Sequence, residues 1–189
     1  SRSAWAHALN YANRFDEAIH ALVEASAIAL EHGDPLEDAR ASLAKAQSLA
    51  RLGRFDEAIE ACVYAERIFE ADRKPELAVR AVTNHAIILR MLGRWGESVD
   101  RFDRALELAC SDPTLSAQIQ SNRAETLLEL GRFKDAEHAF RRSYELPELA
   151  GMGRVAALGR ANLPDLLGPP RRAAGAARAC ERPRPAVPW

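Results

Sequence analysis

Residues 52–58 read Leu-Gly-Arg-Phe-Asp-Glu-Ala, and the first part of this stretch, Leu-Gly-Arg-aromatic, decides the fold because it recurs at a nearly fixed interval. It returns at 92–95, with Trp as the aromatic residue, and at 130–133, with Phe. A degenerate first copy, Asn-Arg-Phe-Asp-Glu-Ala, occupies residues 13–18. The four aromatic residues are 40, 40 and 38 positions apart. A period of this length indicates a solenoid, in which each repeat packs mainly on its neighbours.

Each repeat predicts two helices that are joined at the glycine. In the best-defined copy, Asp34 is placed to cap the first helix and Pro35 to occupy its first turn, since Asp accepts hydrogen bonds from free N–H groups there. Gly53 ends that helix, because glycine adopts the left-handed conformation that a helix end often needs. Apolar residues at helical spacing then give each helix one buried stripe. The prolines at 35, 75 and 113 each precede the glycine of their copy by 18 residues.

The repeats divide the chain into units at 1–33, 34–73, 74–112 and 113–149, and the last two of these predict helices at 76–92, 95–109, 114–130 and 133–146. A partial unit follows at 150–168, where Pro164 interrupts the helix and predicts a kink. The missing start of the first unit and this unfinished fifth one predict a piece of a longer protein. A processed N-terminus is the alternative explanation for the start. Residues 169–189 are rich in Pro, Arg and Ala, a composition typical of disorder. A basic binding tail, a linker and a reading-frame artefact are three interpretations of this tail.

Small residues fill two columns of the repeat, seven positions before the glycine and five positions after it. They let the two helices of a unit approach closely. The aromatic residue two positions after the glycine is predicted to fill the space against the adjoining helix, so its truncation should cost about 3–5 kcal/mol. The signature residues are Ala46, Gly53, Phe55, Ala58, Ala86, Gly93, Trp95, Ala124, Gly131, Phe133 and Ala136.

Helix pairs with these columns, Gly then an aromatic at the turn, and Pro at the unit boundary resemble tetratricopeptide repeats. The resemblance covers about residues 4–168, and the spacing near 40 resembles the longer variants of a unit that usually has about 34 residues. Asn13 departs from it, because it stands where the first glycine belongs. The resemblance implies an all-α fold: an α-solenoid whose antiparallel helix pairs form a right-handed superhelix with a concave groove.

Composition excludes several other classes of function. The formal net charge of −1 argues against a nucleic-acid binder, and no apolar run reaches the roughly 18 residues of a membrane span. Cys62, Cys110 and Cys180 are few and widely spaced, which predicts a reducing, cytoplasmic location. Cys62 shares a column with Leu22, Phe102 and Phe140, so it is predicted to be a packed thiol. No histidine pair or catalytic motif has ligand or active-site spacing, and the sequence therefore predicts no cofactor, no metal and no enzymatic activity.

The resemblance also implies which residues bind, since the first helices of such arrays line the groove. Arg80 lies one helical turn before Asn84, and a guanidinium beside an amide suits a carboxylate. Asn122 occupies the same column as Asn84, whereas Glu125 adds negative charge. The alternative is that these residues form ordinary solvated helix faces. The predicted groove residues are Arg40, Arg51, Arg80, Asn84, Arg90, Asn122 and Glu125.

Three hypotheses about function follow. The first is a protein–protein interaction module, a scaffold or adaptor that binds an extended peptide or a partner helix in the groove. The second is a regulatory or sensor segment of a larger bacterial signalling protein, such as a fusion to a caspase-like peptidase or a transcription regulator. The third is self-association, since uncapped ends of a repeat array expose apolar faces. Neither a nucleic acid nor a membrane is predicted as a partner.

Overall fold

The computed structural model of the chain describes residues 2–109 and 112–149, which form eight helices and no strand. The helices follow one another as antiparallel neighbours, and the predicted fold class, an all-α solenoid, is confirmed. Their bounds are α1 Arg2–Tyr11, α2 Phe15–Glu31, α3 Pro35–Arg51, α4 Phe55–Ala71, α5 Pro75–Met91, α6 Trp95–Leu108, α7 Pro113–Glu129 and α8 Phe133–Leu149.

The helix ends agree with the sequence prediction to one residue in α5, α6 and α7. Only α8 differs more, because it continues to Leu149, three residues beyond the predicted end. The partial unit at 150–168, its Pro164 kink and the tail at 169–189 lie outside the described residues, as do Cys110 and Cys180.

The turn inside each unit needs one residue in the left-handed conformation. Gly93 provides it with φ of 73°, as Gly53 does with 76°, and Asn13 takes the same role in the first unit with φ of 56°. Asparagine tolerates this region better than most residues, so the degenerate first copy keeps the same turn. The loss of the glycine therefore changes the sequence signature without changing the backbone.

The boundary turns use side-chain caps at two of the three unit starts. The Asp34 carboxylate accepts a hydrogen bond from the backbone N–H of Glu37 at 2.9 Å. Asp112 accepts two such bonds, from Thr114 at 2.9 Å and Leu115 at 3.0 Å. Lys74 stands at the same place before α5 and makes no side-chain cap. Aspartate therefore fixes the first turn of α3, as the sequence predicts for Asp34, and also the first turn of α7.

The two small-residue columns lie where neighbouring helices approach most closely. The residues seven positions before the glycine and five positions after it are completely buried. Ser98 breaks the run of alanines, but its hydroxyl donates to the carbonyl of Ala86 at 2.8 Å, so the polar group is satisfied. The fully buried members of the two columns are Ala46, Ala86 and Ala124, then Ala58, Ser98 and Ala136.

Two of the three aromatic residues of the signature do not fill the core, and for Trp95 and Phe133 this expectation was wrong. Trp95 is 37% exposed and Phe133 is 57% exposed, while Phe55 is only partly buried. Each is the first residue of its helix. Phe55 packs against the core cluster formed by α3, α4 and α5. The large buried rings are instead Phe69, Phe102 and Phe140, and the last two share the Cys62 column in the middle of the second helices.

The first helices of successive units also touch one another, α1 with α3, α3 with α5 and α5 with α7. This contact places them together along one side of the array, which is the inner face that the resemblance predicts. No helix among residues 2–109 and 112–149 is long and apolar enough to cross a membrane.

Candidate functional site

A hollow of about 640 Å³ lies on the inner face among α1, α3 and α5. Three of the predicted groove residues, Arg51, Asn84 and Arg90, line it. Their neighbours give the wall a mixed apolar and polar character. The full lining is His7, Asn10, Tyr11, Phe15, Gln47, Ala50, Arg51, Asn84, Ile87, Ile88, Arg90 and Met91.

A second hollow of about 200 Å³ contains two more of the predicted residues, Arg40 and Arg80. His7 and Gln47 line both hollows, so the two are adjacent parts of one surface. We call this surface the inner groove. It runs along the first helices, with arginines at both ends and neutral polar groups between them.

Two of the four groove arginines already have acidic partners. Arg40 contacts Glu37 at 3.4 Å within α3, and Arg90 forms an ion pair with Glu125 of α7. Arg51 and Arg80, by contrast, make no ion pair with any residue that the structure describes. The inner groove therefore carries an excess of two positive charges.

The two predicted residues of α7 lie outside the two hollows. Glu125 reaches Arg90 across the interface of α5 and α7, so its role in the fold is to neutralise a groove arginine. The backbone carbonyl of Asn122 accepts a hydrogen bond from the Thr126 hydroxyl at 3.0 Å. The structure thus brings Arg40, Arg51, Arg80, Asn84 and Arg90 to one surface and leaves Asn122 beyond its edge.

Helix α1 supplies groove residues that the sequence argument missed. His7 and Tyr11 line the larger hollow, and Asn10 joins them while accepting a hydrogen bond from the Ser48 hydroxyl at 2.8 Å. The repeat register contained the signal. Counted back from Asn13, His7 falls in the column of Gln47, and Tyr11 in the column of Arg51. Extending the columns into the degenerate first unit would have found all three.

Cys62 is a packed thiol, as its column predicts. It is completely buried, and this burial raises its pKa to about 12, so the thiolate that nucleophilic chemistry needs is not formed. Burial, together with the positive charges of Arg101 and Arg94, lowers the pKa of His85 to about 4. Within the described ranges, no three His, Cys, Asp or Glu residues are grouped as metal ligands.

The successive antiparallel helix pairs and the charged groove along their first helices define the protein as an α-solenoid. Two sequence signatures described as Tetratricopeptide repeat match residues 3–73 and 77–148. The chain therefore belongs to the tetratricopeptide repeat family, whose fold is a scaffold for protein interactions. No curated protein matches it in sequence.

Several solved structures share this fold. Aspartyl phosphate phosphatase F from Bacillus subtilis superposes with a TM-score of 0.80 at 16% identity, over 93% of this chain and 47% of that one. BtubC from P. vanneervenii gives 0.69 at 18%, over 100% of this chain and 84% of that one. A Rap protein complexed with Competence and Sporulation Factor gives 0.58 at 20%, over 85% and 50%. The chain spans about half the length of the phosphatase and the Rap protein, and at these identities the likeness shows the fold alone.

Proposed function

We propose that the inner groove binds an extended, acidic segment of a partner protein. The observation that carries this proposal is the pair of arginines without acidic partners, Arg51 and Arg80, on a concave surface that also presents Asn84. Guanidinium groups bind carboxylates bidentately, and an asparagine side chain can both donate to and accept from a peptide backbone. A Rap protein of similar fold, complexed with Competence and Sporulation Factor, supports the idea that such an array can hold a bound factor.

The dimensions of the groove favour a short extended segment. Arg80 and Arg40 line the same hollow, and Arg40 lies 11 residues before Arg51 on α3. This separation corresponds to about 16 Å at the helical rise of 1.5 Å per residue. A strand-like peptide advances about 3.3 Å per residue, so about five residues span this distance. The exposed side chains of Met91 and Tyr11 offer apolar contact at one end. Carboxylates at the two ends of the segment would meet the arginines.

The test is a binding series with fluorescein-labelled pentapeptides that differ only in charge: two acidic residues, the corresponding amides, or two lysines. The full chain is titrated against each peptide and binding is read by fluorescence anisotropy. The groove variant is Arg51→Gln/Arg80→Gln. The matched control is Arg73→Gln/Lys134→Gln, which removes the same charge from exposed residues that do not line the groove.

We expect the acidic peptide to bind best and the groove variant to lose at least about tenfold in affinity, because each charge-assisted hydrogen bond is worth about 1.5–3 kcal/mol. The control variant should bind as the native chain does, with unchanged helical circular dichroism. Equal losses in the two variants would mean that net charge alone attracts the peptide, and the groove assignment would then be wrong.

The regulatory alternative stays a prediction. An array that controls a larger bacterial signalling protein would use the same groove to receive its signal, so the binding series above is informative for both hypotheses. Self-association through the ends of the array is likewise untested. Sedimentation of the full chain at several concentrations would decide whether copies stack.

A further inference from the structure

A third hollow, of about 550 Å³, lies away from the inner groove, between α2, α3 and α4. We call it the outer cavity. Asp38 of α3 lines it and is only 4% exposed. Its two carboxylate oxygens accept hydrogen bonds from the hydroxyls of Ser26 in α2 and Tyr64 in α4. The carboxylate forms no ion pair with any described residue, so a buried negative charge is held by neutral donors alone.

The next interval of the solenoid shows one way in which the equivalent space is filled, although the repeat after it has Ala139 in the column of Ala61 and Arg101. One repeat of 40 residues later, Ser26 corresponds to Glu66 and Ala61 to Arg101. Arg101 reaches from α6 to Glu66 of α4 and forms an ion pair whose side chains are only 26% and 14% exposed. A second bridge, between Arg104 and Glu70 at 2.9 Å, lies beside it. The chain's own arginine therefore fills the equivalent position.

The first interval lacks this arginine. Ala61 has no side chain beyond its methyl group, and Tyr64 stands where Arg104 stands in the next repeat. The acid also lies on a different helix. Glu66 belongs to α4 and corresponds to Ser26 of α2, whereas the buried carboxylate of the outer cavity is Asp38 of α3. The cavity thus has a buried carboxylate, Asp38, and no arginine paired with it.

The charges that line the outer cavity agree with this reading. Arg54 and Glu57 neutralise each other at 2.6 Å. Lys45 is the other basic residue of the lining, and Glu60 and the deeply placed Asp38 are the other two acids. The lining therefore has a net charge of −1, and Asp38 is the most buried of its charged residues. A carboxylate has about four acceptor positions, and the two hydroxyls occupy two of them.

We propose that the outer cavity is a docking site for an arginine side chain of a partner protein. The guanidinium would donate to the free lone pairs of Asp38, in the way that Arg101 donates to Glu66 one repeat further on. Its aliphatic stem would pack on Val23 and Leu30, which line the cavity and are half exposed or more. This site is on a different face from the inner groove and does not depend on the function proposed for the groove.

The experiment is an amide chemical-shift titration of the full chain with two small probes. N-acetyl-arginine methylamide carries the guanidinium, and N-acetyl-norleucine methylamide carries only the aliphatic stem. The blocking variant is Ala61→Arg, which places the chain's own arginine in the cavity as the next repeat does at position 101. Asp38→Asn removes the charge but keeps the shape.

We expect saturable shifts at Ala61, Tyr64 and Lys45 with the arginine probe, at least tenfold weaker binding of the norleucine probe, and loss of the arginine-specific shifts in Ala61→Arg. Asp38→Asn should weaken the arginine probe at least fivefold. Arg101→Ala should create a second set of shifts near Glu66. Equal binding of the two probes, or shifts that persist in Ala61→Arg, would overturn the proposal.

The peptide titration of the inner groove keeps the two proposals distinguishable. Ala61 lines neither hollow of the groove, so Ala61→Arg should bind the acidic pentapeptide as the native chain does. If the arginine probe does not bind while the acidic peptide does, only the proposal for the outer cavity is wrong. Failure of the peptide series with intact arginine shifts would remove only the groove.

Discussion

Truncating two phenylalanines of the same helix should have very different effects on stability. Phe140 of α8 is 1% exposed, and its ring packs with Ala124, Leu127 and Val99 in a closed cluster. Its removal leaves a cavity, so Phe140→Ala should lower the free energy of unfolding by about 3–5 kcal/mol. Phe133 opens the same helix and is 57% exposed. Less than half of its ring is removed from water and solvent can fill the gap, so Phe133→Ala should cost only about 1 kcal/mol.

The assay is urea unfolding followed by circular dichroism at 222 nm for helix content, as is usual for helical proteins. With a slope of about 2 kcal/mol per molar urea, Phe140→Ala should shift the midpoint by about 1.5–2.5 M and Phe133→Ala by about 0.5 M. Because both residues belong to α8, differences between repeats do not affect the comparison. Similar shifts for the two variants would refute the argument that exposure separates them, and would restore the packing role that the sequence signature predicts for Phe133.

Two further predictions concern a turn and a titrating group. Gly93→Ala should destabilise the chain by about 1 kcal/mol, because φ is 73° there, whereas Gly96→Ala in α6 should stabilise it by about 0.5 kcal/mol; neither added methyl group meets an atom within 4 Å. Thermal unfolding of both variants checks this, and a loss at both positions would contradict it. His85 has a folded pKa of about 4, below its usual 6.5, so the unfolded chain binds a proton that the folded chain does not, and stability should fall as the pH drops from 6.5 to 4. Urea midpoints at pH 7 and pH 5 should differ less in His85→Gln than in the native chain; an equal difference would show that other groups control this range.

The repeat was readable because its signals are local. The helix ends are marked by local pairs of residues, Gly53 with Phe55 and Asp34 with Pro35. These residues act through backbone conformation within a few positions of the chain. The column of small residues was equally informative, since only alanine or a satisfied serine fits where two helices meet. The prediction that Trp95 and Phe133 are core residues was wrong, because regular spacing in the sequence does not determine how far a side chain is buried.

The groove assignment was readable only in part. The columns placed Arg51, Asn84 and Arg80 on the inner face, since successive first helices lie side by side. They did not exclude Asn122, which shares a column with Asn84 but lies beyond the hollow. Tyr11 and its neighbours in α1 are not identified by the glycine-based register, because Asn13 replaces the glycine in the first unit while it adopts the same left-handed backbone conformation.

The sequence by itself determined the solenoid, the helix limits and the face on which the arginines stand, because all three follow from periodicity along one chain. The tertiary structure decided which charges remain available. Arg90 meets Glu125 and Arg101 meets Glu66 across 35 residues of sequence, and the column pattern does not identify such partners. A charge is available for binding only when no neighbouring helix neutralises it. Only the tertiary structure therefore identifies the arginines of the groove without an ion pair and the buried Asp38 of the outer cavity.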